Sequence, residues 1–267
     1  MLPVAETICL FGDGHLAALR QALADGTVLP GYAAEFWGAS GAGFRQLIQG
    51  RDGRIAPVGE AAAMVAAVNG RGRASLGPQD FDLFLFWGAR LRVDQYLVPF
   101  LHRRQSGITD SFAVLAAAAA QFLVNARGYR FARDFARAGA EVWLVPAPYR
   151  IAGRAPDRDP DARAADRTYL WSVLESVAAQ DGLRLIRQPE DTVTGGALTQ
   201  PRFAADDHSD LTSPAYAARL LAAFLKRRPA RDMASYPMRG PVTGTPPLPL
   251  SPPFLPVSGL ARPEKAA

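Results

Sequence analysis

The first stretch able to do chemistry is Gly12-Asp13-Gly14-His15, which follows the apolar run Ile8-Cys9-Leu10-Phe11 and precedes Leu16, Leu19 and Leu23 at helical spacing. A buried strand turning sharply into a helix lifts backbone N–H groups and one side chain into a crevice, where a helix N-terminus favours negative charge. The second is Asp206-Asp207-His208-Ser209-Asp210, just before a helix that Ser213 caps and Pro214 opens. Histidine titrates near neutrality and imidazole is the usual base for a hydroxyl, so His208, oriented by Asp206 or Asp207, is the strongest catalytic candidate. The same cluster also reads as a loop whose side chains satisfy one another's hydrogen bonds. Between these stretches, Gly88-Ala89-Arg90 closes an apolar strand. An arginine there can grip an oxyanion or carboxylate bidentately, or simply stand in solvent.

The elements that must position these residues alternate between strand and helix. After the first strand and helix, Tyr32–Trp37 reads as a second strand and Gly38-Ala39-Ser40-Gly41-Ala42-Gly43 as the loop that follows it. Arg51-Asp52-Gly53-Arg54 reads as a turn, and the Ala-rich segment Gly59–Gly70 as a helix with its C-terminal cap at Asn69-Gly70. Asp80–Trp87 is near-continuously apolar from Phe81, as a central strand covered on both faces must be. Thr109 to about Ala138 reads as one long helical region, capped by Thr109 or Asp110 and weakened at Gly128. Arg127, Arg130, Arg133 and Arg137 share a broad face of it, read as solvent-facing and balanced by neighbours such as Asp134. Glu141–Val145 is the fourth strand, and the loop after it carries Arg150 and Arg154 towards the crevice at the carboxyl ends of the strands. Leu170, Val173, Leu174 and Val177 mark an amphipathic helix, and Leu183–Arg187 a fifth strand. The pattern predicts an α/β fold: a three-layer, doubly wound, mostly parallel sheet of about five strands with helices on both faces.

Phe11-Gly12-Asp13-Gly14-His15 resembles the first block of the SGNH (GDSL) hydrolases, Gly-Asp-Ser followed by Leu or His. The resemblance extends over residues 5–228 and implies a flavodoxin-like architecture and ester-hydrolase chemistry. It puts the family's catalytic serine on Gly14, which has no hydroxyl. It matches the family's second-block glycine, which lends a backbone N–H to the oxyanion hole, to Gly38. The third block, Gly-x-Asn, falls on Gly88-Ala89-Arg90, so arginine stands where the family has its asparagine donor. The last block, Asp-x-x-His before the C-terminal helix, matches His208. Strict spacing would put its aspartate on Ala205, whereas Asp206 and Asp207 lie closer to the histidine. The ligand-binding candidates are therefore Gly12, Gly14, His15, Gly38, Gly88 and Arg90; the catalytic candidates are His208, Asp206, Asp207 and Asp13.

The composition narrows the partners. A hydrophobic content of 49% with 21% charged residues is that of a globular chain. The net charge of +5 comes with arginine far outnumbering lysine, but the basic residues are scattered and no nucleic-acid module accompanies them, so no nucleic-acid partner is expected. Cys9, the single cysteine, excludes a disulfide framework and reads as a buried, inert thiol. His15, His102 and His208 do not share metal-ligand spacing and no full nucleotide-binding motif follows the first strand, so neither metal nor cofactor is expected. Without a signal-peptide pattern, and with Phe112–Val124 too short to span a bilayer, a cytoplasmic protein is expected. After Arg228, prolines recur from Pro237 through Pro263, dividing the chain into an α/β domain over residues 1–228 and a flexible proline-rich tail over 229–267.

Three functions follow. The first is a catalytically degenerate SGNH-like protein binding an acylated or anionic carbohydrate-type ligand. The second is an active ester hydrolase working through His208-activated water, or with Ser40 or Asp13 recruited as nucleophile. The third is an interaction protein engaging a partner through its proline-rich tail or its arginine stripe.

Overall fold

The computed structural model describes residues 5–154, 162–206 and 211–231. The first half runs β1 (Glu6–Gly12), α1 (Leu16–Ala24), β2 (Tyr32–Gly38), β3 (Leu47–Gln49), β4 (Ile55–Pro57), α2 (Ala61–Asn69), β5 (Leu83–Gly88) and α3 (Asp94–Gln105). The second runs α4 (Phe112–Asn125), α5 (Arg127–Arg137), β6 (Glu141–Pro146), α6 (Ala164–Gln180), β7 (Arg184–Leu185), β8 (Val193–Thr194), β9 (Leu198–Thr199) and α7 (Pro214–Arg227).

Five strands form one sheet in the order β2-β1-β5-β6-β7, and every pairing in it is parallel. β1 lies inside the sheet, with β2 on one side and β5 on the other. Strand alternation divides the core in two. Cys9, Phe11, Phe84, Phe86, Val142 and Leu144 face α3, α4, α5 and α6, while Ile8, Leu10, Leu83, Leu85, Trp143 and Val145 face α1 and α7. Both faces are covered, which is why β5 reads as an unbroken apolar run. Cys9 is fully buried, and burial pushes its thiol well above the ordinary range, in keeping with an inert side chain.

At the amino ends of the strands a buried ion cluster ties the last helix to the sheet. Arg228, just past α7, bonds Glu6 at the start of β1 and Glu141 at the start of β6, and its carbonyl accepts from the Tyr32 hydroxyl at 2.8 Å. Burial pushes the Glu141 carboxyl up, but the bonds from Arg228 and Trp143 outweigh it and leave the group below its usual range.

Four sequence expectations need correction. The region 109–138 is two helices, because Ala126 leaves the helical region (φ −78°, ψ 118°), and the cap of α4 is Ser111, whose side chain accepts from the Val114 N–H. Asp110 instead pairs with Arg103 at 2.7 Å. The fifth strand is only Arg184–Leu185, and the third starts at Leu83 because Asp80 is held by Arg54 and Arg73 in the preceding loop. Helix α3, with Pro99 inside it, and the hairpin β8–β9 escaped the pattern altogether. The turn at 51–54 is the tip of hairpin β3–β4, and Gly70 (φ 62°) caps α2 as expected. The proline-rich region lies outside the described residues.

Gly128 is not a weak point in a helix but a contact surface in the first turn of α5. A Cβ there would stand 2.2 Å from the Ala89 carbonyl oxygen and 2.7 Å from the Ala89 Cβ. Alanine is intrinsically the better helix former by about 1 kcal/mol, yet Gly128→Ala should destabilise the protein by about 1–3 kcal/mol through overpacking against backbone that cannot yield. Urea unfolding of the two proteins checks the sign.

Candidate active-site crevice

The crevice opens at the carboxyl ends of β1, β2, β5 and β6, where three strands approach too closely for side chains. A Cβ on Gly12 would meet the Trp87 carbonyl oxygen at 2.2 Å, and one on Gly38 would meet the Gly12 carbonyl oxygen at 2.0 Å. Both glycines are buried floor rather than lining. Above them Asp13 joins two loops: its Oδ1 accepts from the His15 N–H at 3.1 Å and its Oδ2 from the Arg90 N–H at 2.9 Å. Gly88 leaves room for this, since a Cβ there would lie 2.6 Å from Asp13 Oδ1.

The loop after β5 is strained. Gly88, Ala89 and Arg90 all lie in the left-handed region, with φ of 70°, 44° and 56°. Alanine and arginine rarely adopt it, at a cost of order 1 kcal/mol or more each. What holds them is the Asp13 bond, the packing of Ala89 on Gly128, and the bonds from Leu91 N–H to the Gly88 carbonyl and from Ala147 N–H to the Leu91 carbonyl, both 2.9 Å. Arg90 then extends so that its guanidinium donates to the Gly41 carbonyl across the crevice mouth. Among the described residues no carboxylate pairs with that guanidinium.

Asp13, Gly14, His15, Gly41, Arg90, Arg92, Gln95, Ala147 and Leu211 line a cavity of about 480 Å³. A side chain on Gly14 would enter this space: its Cβ would sit 3.6 Å from Leu211 Cδ2 and 3.9 Å from Ser40 Cβ, ordinary contacts. Among the described residues nothing accepts from the Gly14 N–H. Ser40 is exposed, and its hydroxyl makes no cap bond to the turn it precedes.

Asp207 and His208 lie outside the described residues. The residues flanking them are placed: Ala205 N–H donates to the Leu211 carbonyl at 2.9 Å, Ala204 and Thr212 form an antiparallel bridge, and Leu211 lines the cavity beside Gly14. Asp206 is exposed, and its carbonyl accepts from Arg154. Neither Arg150 nor Arg154 is among the lining residues, because Arg154 is turned to Asp206 and Arg150 lies 3.6 Å from Asp94. Sequence reasoning missed Arg92, Gln95, Gly41 and Ala147. The first two stand at the head of α3, whose only sequence signal was an aspartate near its start and basic residues in its last turn.

Asp94, next to two of those lining residues, is buried, and its Oδ1 has no hydrogen-bond partner among the described residues. Burial pushes its carboxyl above the usual aspartate range, against the pull of Arg92 and Arg150 and of the Gln95 N–H. A carboxyl raised in the folded state stabilises it below the ordinary aspartate range and loses that contribution as pH rises through the raised value. Asp94→Asn should therefore have a melting temperature at neutral pH equal to or above that of the wild type, with the difference shifting against the variant as pH falls through the raised value towards the ordinary aspartate range and levelling off below it. Thermal unfolding across that pH window reads the crossover.

Among the described residues no cluster of three or more His, Cys, Asp or Glu could hold a metal ion, and no helix is long and apolar enough to cross a membrane. No family model matches the chain, and no curated protein does. Among solved structures, a GDSL-like lipase from Bacteroides thetaiotaomicron VPI-5482 is similar at 12% identity, over 83% of this chain and 86% of that one, with a TM-score of 0.35.

Proposed function

We propose that the chain is an SGNH-like binding protein whose crevice takes an anionic carbohydrate-type ligand without hydrolysing it. The observation that carries this reading is the pairing of Gly14 with Arg90. Position 14 opens into the cavity with a backbone N–H and no hydroxyl, and Arg90 brings to the same space a guanidinium with no carboxylate partner among the described residues. Arg92 lines the same wall, while both oxygens of Asp13, a carboxylate of the lining, accept from backbone N–H groups. Positive side chains and an open N–H around a concave site favour a carboxylate or sulfate. Gln95 adds an amide suited to sugar hydroxyls.

One observation favours the second reading, ester hydrolysis. Ser40 stands beside the position that a Gly14 side chain would occupy, so a recruited nucleophile would come from Ser40 rather than from Asp13, whose carboxylate braces two loops. His208 would be its base. The tail-mediated reading rests on residues outside those described.

Titration calorimetry with galacturonate and with galactose separates the readings. The wild type should prefer the acid by at least about tenfold, and Arg90→Asn should lose that preference while folding at least as well, because asparagine tolerates the left-handed backbone at position 90. Hydrolysis of p-nitrophenyl acetate should stay at background. Turnover that vanishes in Ser40→Ala would favour the hydrolase instead.

A further inference from the structure

A second cavity, of about 360 Å³, adjoins the first. Its walls are Phe44, Arg45, Phe122, Asn125, Ala126 and Arg127, together with Arg90 and Gln95, which line the first cavity as well. It lies where the turn after β2 meets the junction of α4 and α5. That junction exists because the helical region breaks at Ala126, which turns Arg127 back towards the β3 hairpin. There its guanidinium donates to the carbonyls of Arg45 and Leu47, at 2.7 and 2.6 Å, and sits 5.5 Å from the Phe131 ring. No carboxylate pairs with Arg127 among the described residues, and burial pulls its pKa below the usual arginine value. Phe44 is fully buried and Phe122 stacks on Tyr96, so both apolar walls are held in place. Arg90, pinned through its N–H to Asp13 and through its guanidinium to Gly41, borders both chambers.

We infer that the two cavities are successive subsites for one extended acidic ligand, a chain of uronate-type units, with Arg90 as the shared wall that spaces them. This rests on the anion-binding reading of the first cavity. Three features point to a second acidic unit rather than to an acyl chain. Arg45, Arg90 and Arg127 give the second chamber positive charge with no carboxylate among its described lining residues, the half-buried Phe122 ring offers apolar surface for a ring, and Asn125 and Gln95 supply amide groups. An acyl chain would desolvate these guanidinium and amide groups without offering them an acceptor or a countercharge. Each cavity is by itself within the usual size range for a small-ligand site, about 300–1,000 Å³.

The test compares galacturonate with its dimer, digalacturonate, by titration calorimetry on the full chain. The wild type should bind the dimer at least about tenfold more tightly than the monomer. Asn125→Trp, at the exposed end of α4, fills the second chamber, and Arg45→Glu, also exposed, reverses its charge. Both should bring the dimer-to-monomer affinity ratio to about one. If the wild type binds both ligands equally, or the ratio survives both substitutions, the second subsite is wrong while the anion-binding reading stands. If the wild type binds neither, that reading fails and the subsite with it. Acyl glycosides bound more tightly than the dimer, with the gain lost in Asn125→Trp, would assign the second chamber to a lipid chain and overturn the inference.

Discussion

The crevice depends on one carboxylate accepting two backbone hydrogen bonds. Asp13 follows β1, and its oxygens accept from His15 at the head of α1 and from Arg90 after β5. The bond to the Arg90 N–H ties the loop after β1 to the loop after β5 and helps hold Gly88, Ala89 and Arg90 in the left-handed region. Hydrogen bonds to an ionised acceptor are about twice as strong as neutral ones, and two of them compare in size with the strain of two non-glycine left-handed residues. The Asp13 brace and the fit of Ala89 against Gly128 therefore hold Arg90 where its guanidinium reaches Gly41. A residue picked out by a motif-like turn thus also braces the backbone around the crevice.

The frame around that brace is fastened at both ends of the sheet by different means. At the carboxyl end, Gly12 and Gly38 pack against the Trp87 and Gly12 carbonyls with no room for a Cβ, so that part of the crevice floor is backbone. At the amino end, Arg228 holds Glu6 and Glu141 in a buried network that fixes α7 across β1 and β6. A buried ion pair of this sort is weak evidence for stability, but removing one partner leaves an uncompensated charge, so it defines where the last helix ends. The opposite end of α7 begins at Pro214, directly after Ser213, whose N–H donates to the Phe203 carbonyl at 2.8 Å, and Leu211 lines the cavity beside Gly14.

The sheet was legible because burial on both faces writes itself plainly into a sequence. The runs Ile8–Phe11 and Phe84–Phe86 have no other economical explanation, and the helices between them show their apolar stripes. Gly14 and Arg90, which line the cavity, lie in turns at strand ends, which is where a parallel sheet opens its crevice. What stayed hidden depends on contacts between distant segments. The break at Ala126 falls two residues before Gly128, which the pattern marked only as a weak point within one helix; it serves the Arg127 bonds to Arg45 and Leu47, roughly eighty residues earlier in the chain. Helix α3 hides behind Pro99 and a mixed pattern, and with it went Arg92, Gln95 and the buried Asp94. The short β7 was overestimated, since an apolar segment gives no signal of where its partner stops.

Gly14 and Arg90 make chemical sense together more than either does alone. A hydroxyl at position 14 would need donors that engage an oxyanion as charge develops, and only such differential binding accelerates a reaction. A guanidinium is charged throughout. It holds a ligand carboxylate as firmly before any reaction as at its peak, and binding both states equally raises affinity without raising turnover. The left-handed backbone at position 90 sharpens the point, because asparagine would relieve strain there while arginine sustains it. On the binding reading that strain has a return: it carries a permanent positive charge to the seam between two cavities, where it meets a resident anion instead of a passing one.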